Sequence, residues 1–224
     1  WKTAIFKYSP FLEDNSQYAH LELSSFPSID FNANFTYLKY YDFSCTEQLA
    51  AKGLSLIFTK KFLSLDNSRA ADNMIPQILK ELYARQLPDG GFSYWPGMTS
   101  SDLWASSMAG QFMLEAGHNG FEVNKGVLGG WKNFQKKGVQ NYRQSSSYFL
   151  YDLLQAYRLY TLAIASEPDN GAMNRLKENK NLSDQARWML ASAYSICGKK
   201  SVAKEIIKGI ERNFKPYPSS NISF

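Results

Sequence analysis

The sequence predicts an all-α fold, a double ring of helical hairpins, with a short β segment at its N-terminus. Three observations predict it. Between Tyr148 and Leu162, the residues Tyr148, Phe149, Leu150, Tyr151, Leu153, Leu154, Ala156, Tyr157, Leu159, Tyr160 and Leu162 leave almost no polar face, which is the pattern of a helix buried on all sides. Further on, Lys200, Lys204, Lys208 and Arg212 line one helical face while Val202, Ala203, Ile206, Ile207 and Ile210 line the other, which is the pattern of a half-exposed helix. Inner helices surrounded by outer ones accommodate both kinds; a simple bundle of amphipathic helices does not need the first. Thirdly, the turn signal Pro88-Asp89-Gly90-Gly91 is followed at once by the aromatics Phe92, Tyr94 and Trp95, so a tight loop between helices can fold its apolar residues back onto the ring.

The elements follow in order. Residues 1–33 read as a connector or β segment belonging to a neighbouring domain: His20 to Phe26 alternates polar and apolar residues, and Pro27 and Ser28 end the alternation. Residues 34–224 read as helices joined by short loops. Candidate helices run from Cys45 to Leu63, Ser68 to Arg85, Ser101 to Ala116, Asn124 to Lys137 and Ser146 to Ser166. Weaker ones run from Gly171 to Asn179, Ser183 to Cys197 and Ser201 to Phe214. Ser101-Asp102 and Ser183-Asp184 suit N-cap and first-turn positions, and Gly117 and Gly198 suit C-caps. Pro76 either marks the true start of the second helix or kinks it.

The chain has 224 residues, 44% of them apolar and 15% aromatic. That is enough to bury a core without disulfides or metal. A net charge of +5 is modest for this size. Nucleic-acid binding calls for basic residues interleaved with stacking aromatics, and that arrangement is absent, so no nucleic-acid partner is expected. The basic stripe is read as a solvated helix face, with an acidic partner as the minor alternative. No apolar run is long enough to span a membrane. The chain opens on Trp1 without an initiator Met, and is read as a piece of a longer protein whose targeting signal lies upstream. Of the two cysteines, Cys197 falls at a core position of a helix, where a free thiol is commonly buried.

Cys45 has a nearer partner than Cys197. Cys45 and Gln48 are three positions apart at a predicted helix start, on one face and within side-chain reach. The sulfur can join the Gln48 side-chain carbonyl with loss of ammonia, which closes a small thiolactone ring and makes an electrophile of an inert amide. Thr46 and Glu47 point elsewhere, so the ring closes without a clash. Such a bond needs shelter from water. Tyr37, Tyr40, Tyr41 and Phe43 crowd the approach to Cys45, and Tyr94 and Trp95 can join them.

The segment Tyr41-Asp42-Phe43-Ser44-Cys45-Thr46-Glu47-Gln48-Leu49 resembles the C-x-E-Q thioester segment of the alpha-2-macroglobulin family, in its bacterial branch. So do Ser101-Asp102-Leu103-Trp104-Ala105-Ser106-Ser107 and Leu182-Ser183-Asp184-Gln185-Ala186-Arg187-Trp188-Met189-Leu190-Ala191. Gln86-Leu87-Pro88-Asp89-Gly90-Gly91-Phe92 resembles the inter-helix loop of α/α toroids. These include complement-type thioester domains, terpene cyclases and protein prenyltransferases. The resemblance implies a thioester-containing α/α toroid, here with about four hairpins and stopping before the ring closes. It implies a broad protease inhibitor, not an enzyme, with no cofactor. Cleavage of a bait region elsewhere exposes the thioester, and Gln48 acylates a lysine amine of the attacking protease while Cys45 leaves. Neighbouring domains of the same chain help shelter the bond. The bacterial members sit in the periplasm or cell envelope, often lipid-anchored, so that location is expected for the parent protein. Some members carry a histidine that accepts the acyl group; by helix order that position falls near Gly126 here. His20 lies in the strand segment and His118 beside Gly117 and Gly120, so transfer is expected to pass directly to an amine. His118 is read as a solvent-facing loop residue.

Other site classes find little support. Two distant histidines do not make a zinc site. Cys45 with His118 would be a Cys-His protease pair, but no local signature supports it. Asp89 and Glu115 are not marked out as a glycosidase pair, and Gly129-Gly130 follows no strand. Two further readings remain open: a toroid enzyme, such as a cyclase or polysaccharide-degrading protein with an acid-lined central cavity, and a non-covalent scaffold in which Cys45 and Gln48 never react.

Overall fold

The computed structural model describes residues 31–41, 45–143, 149–208 and 210. The expected strand at His20 to Phe26 lies outside them, as does Phe43. Among the described residues the fold is all-α with one small sheet.

The chain enters through α1 (Phe31–Lys39), which the sequence reading passed over as a helix. Only Phe35 of α1 is buried, so its apolar pattern is too thin to see without its neighbours. Four hairpins follow. They pair α2 (Thr46–Thr59) with α3 (Leu65–Tyr83), α4 (Leu103–His118) with α5 (Lys125–Asn141), α6 (Phe149–Ile164) with α7 (Asn170–Lys177), and α8 (Asp184–Ile196) with α9 (Lys200–Ile207). The first helices of the hairpins pack on one another in series, α2 on α4, α4 on α6 and α6 on α8. Each second helix packs on the first helix of its own hairpin, and α5 packs on α6 as well.

Local signals set the helix starts. Ser64, Asp102, Asn124, Asp169 and Ser183 each accept a hydrogen bond from a first-turn N–H of α3, α4, α5, α7 and α8, satisfying donors that the helix itself cannot. At the far end of α8, Gly198 takes φ +77°, the left-handed turn that ends a helix. Helix α4 runs past Gly117 to His118, and the left-handed residue after it is Gly120. Helix α3 starts at Leu65, before Pro76, and continues through it. The stripe Ala71, Ile75, Ile78, Leu79 and Leu82 is buried on both sides of Pro76, so burial outweighs the one backbone bond that proline removes. Helix α9 ends at Ile207, with Ala203 and Ile206 buried and Lys200, Lys204 and Lys208 exposed; Arg212 lies outside the described residues.

Two apolar clusters fill the interior. One joins α2, α3 and α4 around Leu56, Ile75, Leu82, Phe112 and Met113, with Trp131 of α5 sealing it. The other joins α6, α7, α8 and α9 around Leu159, Leu162, Met173, Leu190 and Tyr194. Helices close in where side chains are absent. A Cβ on Gly53 would lie 2.2 Å from the Phe112 ring, and one on Gly110 would lie 1.8 Å from the Trp131 ring.

The small sheet lies in the α3–α4 connection. Strand β1 (Phe92–Ser93) pairs antiparallel with β2 (Ser101–Asp102), Phe92 opposite Asp102. The turn before it is held from both ends. Asp89 Oδ1 accepts from the Gly91 N–H at 2.9 Å and from the Ser101 hydroxyl at 2.7 Å. Gln86 Nε2 donates to Gly90 O at 3.1 Å and to Val127 O at 2.8 Å. Gly90 takes φ +90°, and a Cβ there would lie 2.1 Å from Gly130 O, so the turn seats directly on α5 and only glycine fits.

Candidate functional site

Cys45 is the N-cap of α2. Its sulfur accepts from the Gln48 N–H at 3.4 Å, and Gln48 Oε1 accepts from the Cys45 N–H at 3.1 Å. This is a capping box, two first-turn donors satisfied reciprocally, with cysteine in the place serine or threonine usually takes. One turn of helix therefore folds a thiol and a side-chain amide toward each other. Cys45 is 1% exposed.

The two flanking motif residues hold this turn in place. The Thr46 hydroxyl donates to Ser93 O at 2.5 Å and its N–H donates to Tyr94 O at 2.9 Å. Buried Arg85 donates to Thr46 Oγ1 at 3.4 Å. Glu47 accepts from the Tyr94 hydroxyl at 3.1 Å through Oε2 and from Trp104 Nε1 at 3.2 Å through Oε1. The ring of Trp104 packs on Tyr157 of α6, centroids 5.0 Å apart. The loop carrying Phe92, Ser93 and Tyr94 and two inner helices thus converge on the first turn of α2.

The aromatics divide by position. The Tyr41 hydroxyl accepts from Gln48 Nε2 at 3.0 Å, and Lys52 Nζ donates to Tyr41 O at 3.3 Å. The Tyr94 hydroxyl lies against the Cys45 sulfur. Its hydrogen bond with Cys45, and then that with Glu47, raises its pKa above the ordinary tyrosine value, so it stays a neutral donor. Tyr40 and Trp95 face solvent, 71% and 45% exposed; Tyr37 is exposed as well. On the other side, Gln48 opens into a cleft of about 470 Å³ between α2 and α3, lined by Lys39, Lys52, Asn73, Gln77 and Glu81 among others. The sulfur is covered, and the amide has a path to solvent.

Trp104 and Arg85 take part in this cluster without having been marked as site residues. No local spacing shows their roles, because they reach α2 only through tertiary packing. Cys197 is half-buried at the end of α8 and Cys45 is buried, and the two are not joined in a disulfide. Among the described residues, no group of three or more His, Cys, Asp or Glu side chains is placed to hold a metal ion.

No family model matches the chain. A curated alpha-2-macroglobulin homolog of Yersinia pestis is 26% identical to it over 136 residues, 58% of this chain and 6% of that protein. Native alpha-2-macroglobulin from Escherichia coli, solved from domain MG7 to the C-terminus, superposes with a TM-score of 0.67 at 19% identity, covering 78% of this chain and 30% of that one. The Salmonella alpha-2-macroglobulin reacted with methylamine gives 0.67 at 18% identity, covering 78% and 12%. The trypsin-activated E. coli protein gives 0.63 at 20% identity, covering 75% and 12%.

This chain resembles the bacterial alpha-2-macroglobulins. It spans a small part of them, 6% of the curated relative, and the solved alpha-2-macroglobulins share its fold over about three quarters of its length. Beside that likeness, His118 is the exposed last residue of α4. Among the described residues, no helix is long and apolar enough to cross a membrane.

Proposed function

We propose that this chain is the thioester domain of a bacterial alpha-2-macroglobulin and that Cys45 and Gln48 form its thioester. The observation that carries the reading is the reciprocal cap of α2, in which the Cys45 sulfur accepts from the Gln48 N–H and the Gln48 side-chain carbonyl accepts from the Cys45 N–H, the sulfur buried and the amide half-buried. The fold shared with a Salmonella alpha-2-macroglobulin that reacts with methylamine supports it.

The chemistry balances as follows. The Cys45 sulfur adds to Gln48 Cδ and ammonia leaves, with Tyr41 already bound to the departing nitrogen. Later an amine attacks the same carbon from the α2–α3 cleft, the C–S bond breaks, and the proton lost by the amine goes to the sulfur. Tyr94, kept protonated by its neighbours, turns its one hydroxyl proton from Glu47 to the departing thiolate. The domain is consumed in one event, so it is an inhibitor and not an enzyme. The amine is a surface lysine of a protease, in keeping with the trypsin-activated relative. The parent protein is placed, in this proposal, in the periplasm or cell envelope and possesses a lipid anchor upstream.

Intact mass and thiol titration test this. The freshly prepared parent protein should weigh one ammonia less than its sequence and show no thiol reactivity at Cys45. Methylamine should add its own mass and release that thiol. A full-mass protein whose Cys45 reacts at once, with no methylamine uptake, overturns the reading.

A further inference from the structure

Arg158 lies in the middle of α6, an otherwise inner and largely apolar helix, and is 6% exposed. Its Nε is buried and has no hydrogen-bond partner among the described residues. Among the described residues no acid compensates it: burial alone moves its pKa, downward from the ordinary arginine value. A buried cation without a counter-ion is among the costliest arrangements a fold can hold. Asp152, on the same helix, is engaged elsewhere, accepting from the Tyr142 hydroxyl and from Asn179 Nδ2.

Room has been left for this group. Arg158 lines a cavity of about 550 Å³ between α5 and α6. The guanidinium passes over Gly138, where a Cβ would lie 2.8 Å from its Nε. Glycine inside a helix is less favourable than alanine, so its presence here is explained by the clearance it gives. Lys137 and Arg143 bring two more cationic side chains to the cavity, and Leu103 and Phe134 supply apolar wall. Asp89, the acid among the described residues of the wall, is tied to the Gly91 N–H and the Ser101 hydroxyl.

We propose that this cavity is a binding site for a small monocarboxylate with an apolar body, its carboxylate paired with the Arg158 guanidinium. The planar fork of arginine matches a carboxylate in two parallel hydrogen bonds. A single charge on an apolar body suits the mixture of apolar wall and cationic base better than a strongly hydrated dianion does.

The test uses the whole chain with benzoate, benzyl alcohol and inorganic phosphate, at constant ionic strength. The readouts are the thermal midpoint and the NMR resonance of the Arg158 Nε–H. Benzoate should raise the midpoint saturably and shift that resonance; benzyl alcohol and phosphate should do neither. Arg158→Met should abolish the benzoate response, and in ligand-free buffer it should unfold at or above the wild-type midpoint, because it removes an unpaired buried charge. Lys137→Ala should keep the fold and weaken benzoate binding several-fold. A benzoate response that survives in Arg158→Met overturns the proposal. So does a response to phosphate equal to that to benzoate, or an unmoved Arg158 resonance.

Discussion

At Cys45 and Gln48 one pair of side chains has two roles, a helix cap and a set of reacting groups. The cap runs in both directions, the sulfur accepting from one N–H and the carbonyl from the other. Replacing Gln48 by alanine leaves the Cys45 N–H without its acceptor, and should cost about 0.5–1 kcal/mol in urea unfolding. The same variant should lose all methylamine uptake, a separate readout that a mere cap defect does not explain. This pairing was legible in the sequence, because positions three apart at a helix start must share a face. The surroundings were less so. Tyr41 and Tyr94 and the exposed Tyr40 and Trp95 are all aromatic residues close in sequence to the motif or its loop, and only the backbone path decides which of them turn inward. Trp104 reaches Glu47 from fifty-seven positions away, a distance over which spacing carries no signal.

At the scale of elements, patterns long enough to repeat were readable and short or thin ones were not. The helices from α2 onward announce themselves through periodic apolar positions and caps. Strands β1 and β2 have two residues each, too few to alternate. Helix α6 illustrates a subtler limit. Its apolar residues foretell burial on all sides, which fails in the first turn, where Leu150 and Tyr151 are exposed, and holds further on, where burial extends even to Asp152, Gln155, Arg158 and Thr161, polar residues that a hydrophobicity pattern assigns to no face at all. Helix α3 carries exposed Pro76 past its midpoint. Pro76→Ala restores a backbone bond on the solvent side and should stabilise the chain by on the order of 1 kcal/mol or more, measured by thermal or chemical unfolding.

The corner between α6 and α7 is pinned to α5 by Glu167, which pairs with Lys132 at 2.8 Å and Lys136 at 2.5 Å. The hydrogen bonds from Lys132 and then Lys136 hold its carboxyl below the ordinary value of 4.5. A depressed carboxylate adds stability that is complete above its unfolded value and fades as pH falls through its folded one. Glu167 is about a third exposed, so the contribution is small, under about 1 kcal/mol. Glu167→Gln should therefore be slightly less stable than the wild type at pH 7, and the gap should close as the solution is taken below about pH 4. Stability measured across that range checks both the sign and the window.

Across the whole molecule, helices contact their neighbours in series and two apolar clusters share the interior, which makes stability a matter of adjacent hairpins. A wedge in one cluster should be felt there first. Gly110→Ala drives a methyl group into the Trp131 ring and should cost about 1–3 kcal/mol. Hydrogen exchange should quicken through α2, α4 and α5 while α8 and α9 keep their protection. Uniform loss of protection would show instead that the hairpins unfold as one unit.

The turn at Gly90 has a consequence of its own. It is wedged against the carbonyl of Gly130 with no clearance, and four positions later the same strip of chain lays Tyr94 on the sulfur. Tolerance to substitution along this strip is therefore lopsided. The outward-facing stretch from Trp95 to Thr99 is free to drift in character, whereas any side chain at the pivot tilts the whole strip and uncovers the thiol from a distance, without a single atom of the reacting pair having been changed.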